Sequence, residues 1–223
     1  MRFNSEFEKY AILDQGLGSL ALNNHAKQVE ASLTPMILEE RQLRVTMMSV
    51  FDRMMMDRII FFVSPVYPEP CTITQAQLMF LDSIDNKDIT LQISSPGGDV
   101  CSGLSLLDTM NYVSSDVATL NLGMAASMGS ILLGGGTKGK RYSLKNSRVM
   151  LHTVAGGMSG KVQDILISLK EAEKYNELLF NLLAEFTNKT KEEVLKDADR
   201  DFWMNAEEAL AYGIIDEIIL KKK

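Results

Sequence analysis

A serine stands in a run of small residues, Gly123-Met124-Ala125-Ala126-Ser127-Met128-Gly129. An alternating apolar run, Val117 to Leu122, precedes it, and a short apolar stretch, Met128 to Leu133, follows. The pattern predicts a strand, a turn and a helix, with the serine at the turn, where little side-chain bulk screens it. The first amides of a helix have no partner within it and can hold a negative charge. A serine nucleophile and half of an oxyanion hole need this geometry. Further on, the buried-strand pattern Arg148 to Leu151 delivers His152, and Asp197, Asp199 and Asp201 cluster beside Arg200. A hydroxyl, an imidazole and a carboxylate are the parts of acyl transfer. The ring lifts the proton from the hydroxyl, and the carboxylate holds the ring's tautomer. Each residue also has a plainer reading: Ser127 as a turn residue, His152 as a satisfied core histidine, the aspartates as solvated charges. The serine motif is not the Gly-x-Ser-x-Gly elbow, because Ala125 occupies the first glycine position. Spacing does not choose among the three aspartates.

The elements that must position these groups follow from periodicity. Asp88 to Ser94 alternates, with Ile89, Leu91 and Ile93 on one face, and ends in Ser95-Pro96-Gly97-Gly98 before a helix from Val100 to Val113. The strand, small-residue turn and helix therefore occur twice. Both turns are expected at the same edge of a mostly parallel sheet, so that Gly98 can aim a backbone amide toward Ser127. Upstream, Thr34 to Leu38 reads as a short extended entry and Glu39 to Arg44 as a charged loop. Ser49 to Met56 has helical spacing, and Arg58 to Val63 is a β-type run. Pro65, Pro68 and Pro70 are expected in a loop. Thr74 to Ile84 follows as an amphipathic helix with Ala76, Met79, Phe80 and Ile84 inward. Downstream, Gly156 to Gly160 reads as a flexible link. Val162 to Phe186 is a helix about 37 Å long whose apolar residues cover more than one stripe, as packing against another subunit requires. Thr190 with Glu193, and Asn205 with Glu208, form capping boxes for two short helices, the second ended by Gly213. Ile214 to Leu220 closes as a short strand.

Bulk properties exclude several classes. At 223 residues and 46% apolar, the chain can bury a full core and is not disordered. A net charge of −6 without a basic cluster argues against a nucleic-acid surface. Two isolated cysteines, Cys71 and Cys101, and two histidines leave no metal-site pattern and suggest a reducing, cytoplasmic setting. No apolar run of about 18 residues is present, so no membrane partner is expected. Gly134 to Lys140 mimics a phosphate-binding P-loop, but Arg141 stands where a Ser or Thr should be, and the stretch follows a helix instead of preceding one.

Taken together, Ser95-Pro96-Gly97-Gly98, Gly-Met-Ala-Ala-Ser127-Met-Gly, Lys-Gly-Lys-Arg141, Asn-Ser-Arg-Val-Met-Leu-His152 and Asp-Arg200-Asp201 resemble the ClpP peptidase family, the proteolytic subunits of the ATP-dependent Clp protease. The resemblance runs from about Thr34 to Leu220 and is ungapped from Ser95 through Asp201. It implies an α/β fold, a crotonase-like stack of β-β-α units with a protruding helical handle at about residues 153–187. It implies a serine endopeptidase without cofactor or metal, with Ser127 as nucleophile, His152 as base and Asp201 as the residue that orients it. The amides of Gly98 and Met128 match the oxyanion hole. Asp199 and Arg200 match positions that pair between two stacked heptameric rings. An AAA+ unfoldase such as ClpX, ClpA or ClpC would feed unfolded protein substrates into the chamber. Tyr112, Leu120, Leu122, Tyr142, Leu144 and Ile219 match its docking groove, although Thr90 and Gln92 stand where the family usually has aromatics. The axial loop, Leu38 to Thr46, lacks the usual glycine. Met1 to Ala31 reads as an extension or propeptide before a peptidase domain from residue 32. Two other readings stay open: a catalytically silent structural ring subunit, and a relative acting on acyl-CoA, since crotonases share the fold.

Overall fold

A computed structural model describes residues 36–41, 44–155 and 160–221. The extension expected over Met1 to Ala31 lies outside the described residues, as do Thr34, Pro35 and positions 156–159 of the expected link. The chain forms two compact units that divide between Asp57 and Arg58.

In the first unit, strands β1 (Met36–Arg41) and β2 (Arg44–Ser49) pair antiparallel, with Met36 opposite Ser49 and Arg41 opposite Arg44. The charged stretch Glu39 to Arg44 is therefore mostly strand, not the expected loop. Backbone pairing with a neighbour has overridden its low strand propensity. Helix α1 (Val50–Met56) opens with a capping box between Ser49 and Asp52.

The second unit is built on a seven-stranded, mostly parallel sheet. Its main path is β3 (Ile59–Phe62), β4 (Ile89–Ser95), β5 (Val117–Ala126), β6 (Arg141–Leu144) and β9 (Glu217–Ile219), all parallel. Helix α2 (Pro68–Ile84) crosses from β3 to β4, and α3 (Val100–Tyr112) crosses from β4 to β5. Ile89, Leu91 and Ile93 are fully buried, as their alternation requires.

Three details differ from expectation. Helix α2 starts at Pro68, so Pro68 and Pro70 lie in its first turn, where a missing N–H costs nothing. Its buried face is Cys71, Thr74, Leu78 and Leu81, whereas Met79, Phe80 and Ile84 are exposed, as is Ala76. Thr74 can be buried because its hydroxyl donates to the Pro70 carbonyl at 2.9 Å. Strand β5 does not stop at Leu122 but continues through Gly123 to Ala126.

That extra length organises the site. The first half of β5 pairs with β6, Thr119 to Asn121 against Arg141 to Ser143. The second half pairs with β7 (Arg148–Leu151), Met124 to Ala126 against Arg148 to Met150. At the changeover Asn121 is fully buried, donating to the Arg148 carbonyl while its own carbonyl accepts from Ser147 Oγ. The residues that follow β5 and β7 are Ser127 and His152. Strand β8 (Phe202–Asn205), which periodicity did not reveal, runs antiparallel to β7.

The long helix α5 (Val162–Phe186) has the bounds expected of it. Only Phe180 and Leu183 in its C-terminal part are buried, while Val162, Leu166, Ile167 and Leu169 are exposed. Helices α6 (Lys191–Asp197) and α7 (Ala206–Tyr212) carry both expected capping boxes, and Gly213 ends α7 at φ 87°. Among the described residues no helix is long and apolar enough to cross a membrane.

Candidate active site

Ser127 ends β5 and caps helix α4 (Met128–Gly134) with φ 54° and ψ −125°, a conformation costly for any residue with a Cβ. Its backbone is held on both sides. The Ser127 N–H donates to the Met150 carbonyl at 2.9 Å, and the Ser127 carbonyl accepts from the amide and hydroxyl of Ser130 at 2.9 and 2.6 Å. These bonds stabilise the strained turn and lift the side chain out of the sheet.

His152 Nε2 lies 2.8 Å from Ser127 Oγ. On the other side of the ring, Nδ1 lies 3.4 Å from Asp201 Oδ1. That second distance is longer than the hydrogen-bond optimum, and such contacts commonly tighten when substrate fills a site. Strand register explains why Asp201, among the three aspartates, is at hand. Strands β7 and β8 pair Arg148 with Asn205 and Leu151 with Phe202, and one more step sets His152 across from Asp201. Asp199 falls further along, and Asp197 is engaged elsewhere, accepting from the buried Tyr212 hydroxyl at 3.2 Å. Burial and the Asp197 carboxylate both push the Tyr212 phenol up, so it stays a donor.

The turn after β4 approaches from the opposite wall. Val66 forms an isolated parallel bridge to Gly98, bonding the Gly97 carbonyl and the Asp99 amide at 2.9 and 2.8 Å. The intervening Gly98 N–H is left out of that ladder and faces away from Val66. Glycine is required twice here. A Cβ on Gly97, at φ 87°, would lie 2.6 Å from Ser127 Cβ, and one on Gly98 would collide with the Val66 carbonyl at 2.3 Å. The Met128 amide is the first of α4 and has no partner carbonyl within that helix, and Gly98 and Met128 both line the same cleft as Ser127.

Gly98, Ser127, Met128 and His152 line one cleft of about 210 Å³. Its apolar wall includes Val100, Ile131, Leu179, Phe180 and Leu183. Leu179 and Leu183 belong to the apolar spacing of α5 that sequence assigned to a subunit contact, and in this chain they face the cleft. Sequence reasoning did not single out Asn176, which also lines it. No periodicity marks a polar residue on a mostly exposed helix.

The remaining expected positions are dispersed. Asp199 and Arg200 side chains are 79% and 94% exposed, with Arg200 Nε 3.8 Å from Asp199 Oδ2. Leu120 pairs with Tyr142, and Leu144 with Ile219, all half-buried on the sheet face opposite the fully buried Thr119, Asn121 and Ser143. Gln92 lies beside Leu120 in the same cross-strand row. Leu122 continues that face, whereas Tyr112, 78% exposed, stands on the last turn of α3. The P-loop look-alike runs from the end of α4 into β6, the reverse of a phosphate loop. Its Lys140 is paired with Asp88 and Asp116 at 2.6 and 2.7 Å.

The chain is similar to known proteins over nearly its whole length. Residues 41–222 match the family described as Clp protease. The chain is 47% identical over 218 residues to the ATP-dependent Clp protease proteolytic subunit of Bacteroides fragilis, covering 97% of this chain and 99% of that one. It is 46% identical over 220 residues to the protein of the same name from Porphyromonas gingivalis, covering 98% and 99%. The Bacteroides thetaiotaomicron subunit is 47% identical over 218 residues. Since the match takes in every strand and helix around the cleft, the chain belongs to the Clp protease family.

Proposed function

We propose that this member of the Clp protease family is a proteolytic subunit that hydrolyses peptide bonds through Ser127, His152 and Asp201. The observation that carries the proposal is the chain of contacts at 2.8 and 3.4 Å through the two nitrogens of one imidazole. His152 Nε2 accepts the Ser127 proton as Oγ attacks the peptide carbonyl. The developing oxyanion is held by the Gly98 and Met128 amides. Collapse of the tetrahedral adduct breaks the C–N bond, and His152 returns the proton to the leaving amine. Water, deprotonated by the same ring, then frees the acyl group and restores the Ser127 hydroxyl. Asp201 keeps Nδ1 protonated throughout, so that Nε2 stays the acceptor. The positive φ of Ser127 supports catalysis over a silent ring subunit, which has no use for that strain.

The relatives' name supports an ATPase partner. We assign that role to an AAA+ unfoldase delivering unfolded chains, docked on the row formed by Leu120, Leu122, Tyr142, Leu144 and Ile219, with Tyr112 contributing from α3. Two stacked heptamers are the proposed assembly. The exposed apolar N-terminal half of α5 and the exposed Asp199–Arg200 pair support contacts between rings. The test is labelling of the purified chain with a fluorophosphonate, together with its native mass. One label per chain, lost in Ser127→Ala, is expected on a particle of fourteen subunits. A wild-type chain that takes no label would refute the catalytic assignment.

A further inference from the structure

We infer that Asn176 is a positioning residue for His152, latching the segment behind the imidazole to the handle helix. The inference rests on the peptidase reading above and extends it to a residue that does not touch the reacting atoms.

Strand β7 ends at Leu151. His152 is therefore carried at the start of a segment, His152 to Ala155, that lies beyond the end of the strand. A base on an untethered segment would swing relative to Ser127. A bond to the handle helix ties this segment down: the Val154 N–H donates to Asn176 Oδ1 at 2.7 Å, from half-buried surroundings. Asn176 sits on α5, beginning the stretch whose Leu179, Phe180 and Leu183 form the cleft wall. The Oη of its neighbour Tyr175 lies 2.8 Å from Cys101 Sγ in the first turn of α3. That helix begins two residues after Gly98. Adjacent residues of α5 thus hold both the segment bearing the base and the helix behind the oxyanion turn. The first link is the stronger, since an amide N–H to a carboxamide oxygen is a better bond than one to a thiol.

Displacement of a catalytic group by about 1 Å can cost about 10²-fold in rate. A latch that fixes His152 should therefore act on turnover and leave substrate binding unchanged. Asn176→Leu keeps the number and branching of the side-chain heavy atoms, is somewhat larger, and removes the acceptor. Asn176→Asp keeps an oxygen where the Val154 N–H points. In the assembled particle, Asn176→Leu should lower kcat and the rate of fluorophosphonate acylation of Ser127 by about 10- to 100-fold, with KM within about twofold. Asn176→Asp should restore kcat to within about threefold of wild type, because its carboxylate accepts the same bond. A purely structural role would lower kcat in step with particle size or melting temperature, and the carboxylate would not rescue it.

Hydrogen exchange of the peptide spanning Leu151 to Ala155 gives a readout independent of activity, with faster exchange in the Leu variant and wild-type protection in the Asp variant. Wild-type kcat in Asn176→Leu, unchanged exchange, or a rise in KM alone overturns the inference. If Asn176→Leu does not assemble, Asn176→Ser, whose hydroxyl is too short to reach, carries the same expectations. A wild-type chain that fluorophosphonate does not label would sink the peptidase reading, and hydrogen exchange would still decide whether the latch exists.

Discussion

Replacing Asp216 by Asn tests how the frame around the cleft is held. Arg141, only 4% exposed, donates Nε and Nη2 to the two Asp216 oxygens at 2.8 and 2.6 Å. The same guanidinium donates to the carbonyls of Phe186 at 2.6 Å, Gly213 at 3.0 Å and Gly134 at 3.4 Å. These are the last residue of α5, the cap of α7 and the last residue of α4, so one cation gathers three helix ends. Asp216 Oδ2 also accepts from the Gly139 and Arg141 amides. The Asn variant keeps the shape but sets an NH2 group against donors, and it leaves the buried cation without a counterion. Breaking such a pair costs about 3–5 kcal/mol. For a chain of this size, that lowers the melting temperature by roughly 6–20 °C.

The assay is thermal unfolding by circular dichroism at one fixed protein concentration, because assembly itself raises the midpoint. Burial opposes the Asp216 charge, yet the hydrogen bonds and charge of Arg141 outweigh it and hold the carboxyl below its usual range. A depressed folded pKa means that this stabilisation is complete above the unfolded value, about pH 4, and is lost as pH falls below it. The gap between wild type and Asn variant should therefore be constant from about pH 5 to 8 and shrink below about pH 4. A midpoint within about 2 °C of wild type at pH 7, or a gap that widens in acid, would refute the reasoning.

Three further outcomes are expected. Ser127→Ala should lose about 10⁴-fold or more in peptide turnover with particle size unchanged, and near-normal turnover would remove Ser127 from the mechanism. Asp201→Asn should cost a large share of kcat by favouring the wrong imidazole tautomer, whereas Asp197→Asn, still offering Tyr212 an acceptor, should stay within about threefold. If the Asp197 variant is the dead one, the β7–β8 register does not govern the choice. Arg200→Ala should split double rings into single rings, read by native mass, and reduce activity with Ser127 and His152 in place. Its 94% exposure predicts no change in the fold of the separate chain, and an intact particle of full activity would contradict the assignment.

Much of the fold was legible because its signals are local. The burial of Ile89, Leu91 and Ile93 follows from a period of two. The bounds of α5, both capping boxes and the left-handed Gly213 follow from residues a few positions apart. The serine at a strand-to-helix turn and the histidine after a buried strand belong to the same class of signal. Legibility failed where contacts join distant segments. The inward face of α2 depended on where Pro68 let the helix begin and on which of two apolar stripes met the sheet. The charged second half of β1, Glu39 to Arg41, is strand through its pairing with β2, which no local pattern announced. By itself the sequence determined that a serine, a histidine and an aspartate could be delivered to element ends. Which aspartate meets the histidine was decided by the pairing of β7 with β8, and which residue steadies the histidine by the path of α5 past Val154. Both choices depend on backbone hydrogen bonds between segments far apart in the chain, and no periodicity of side chains encodes such a bond.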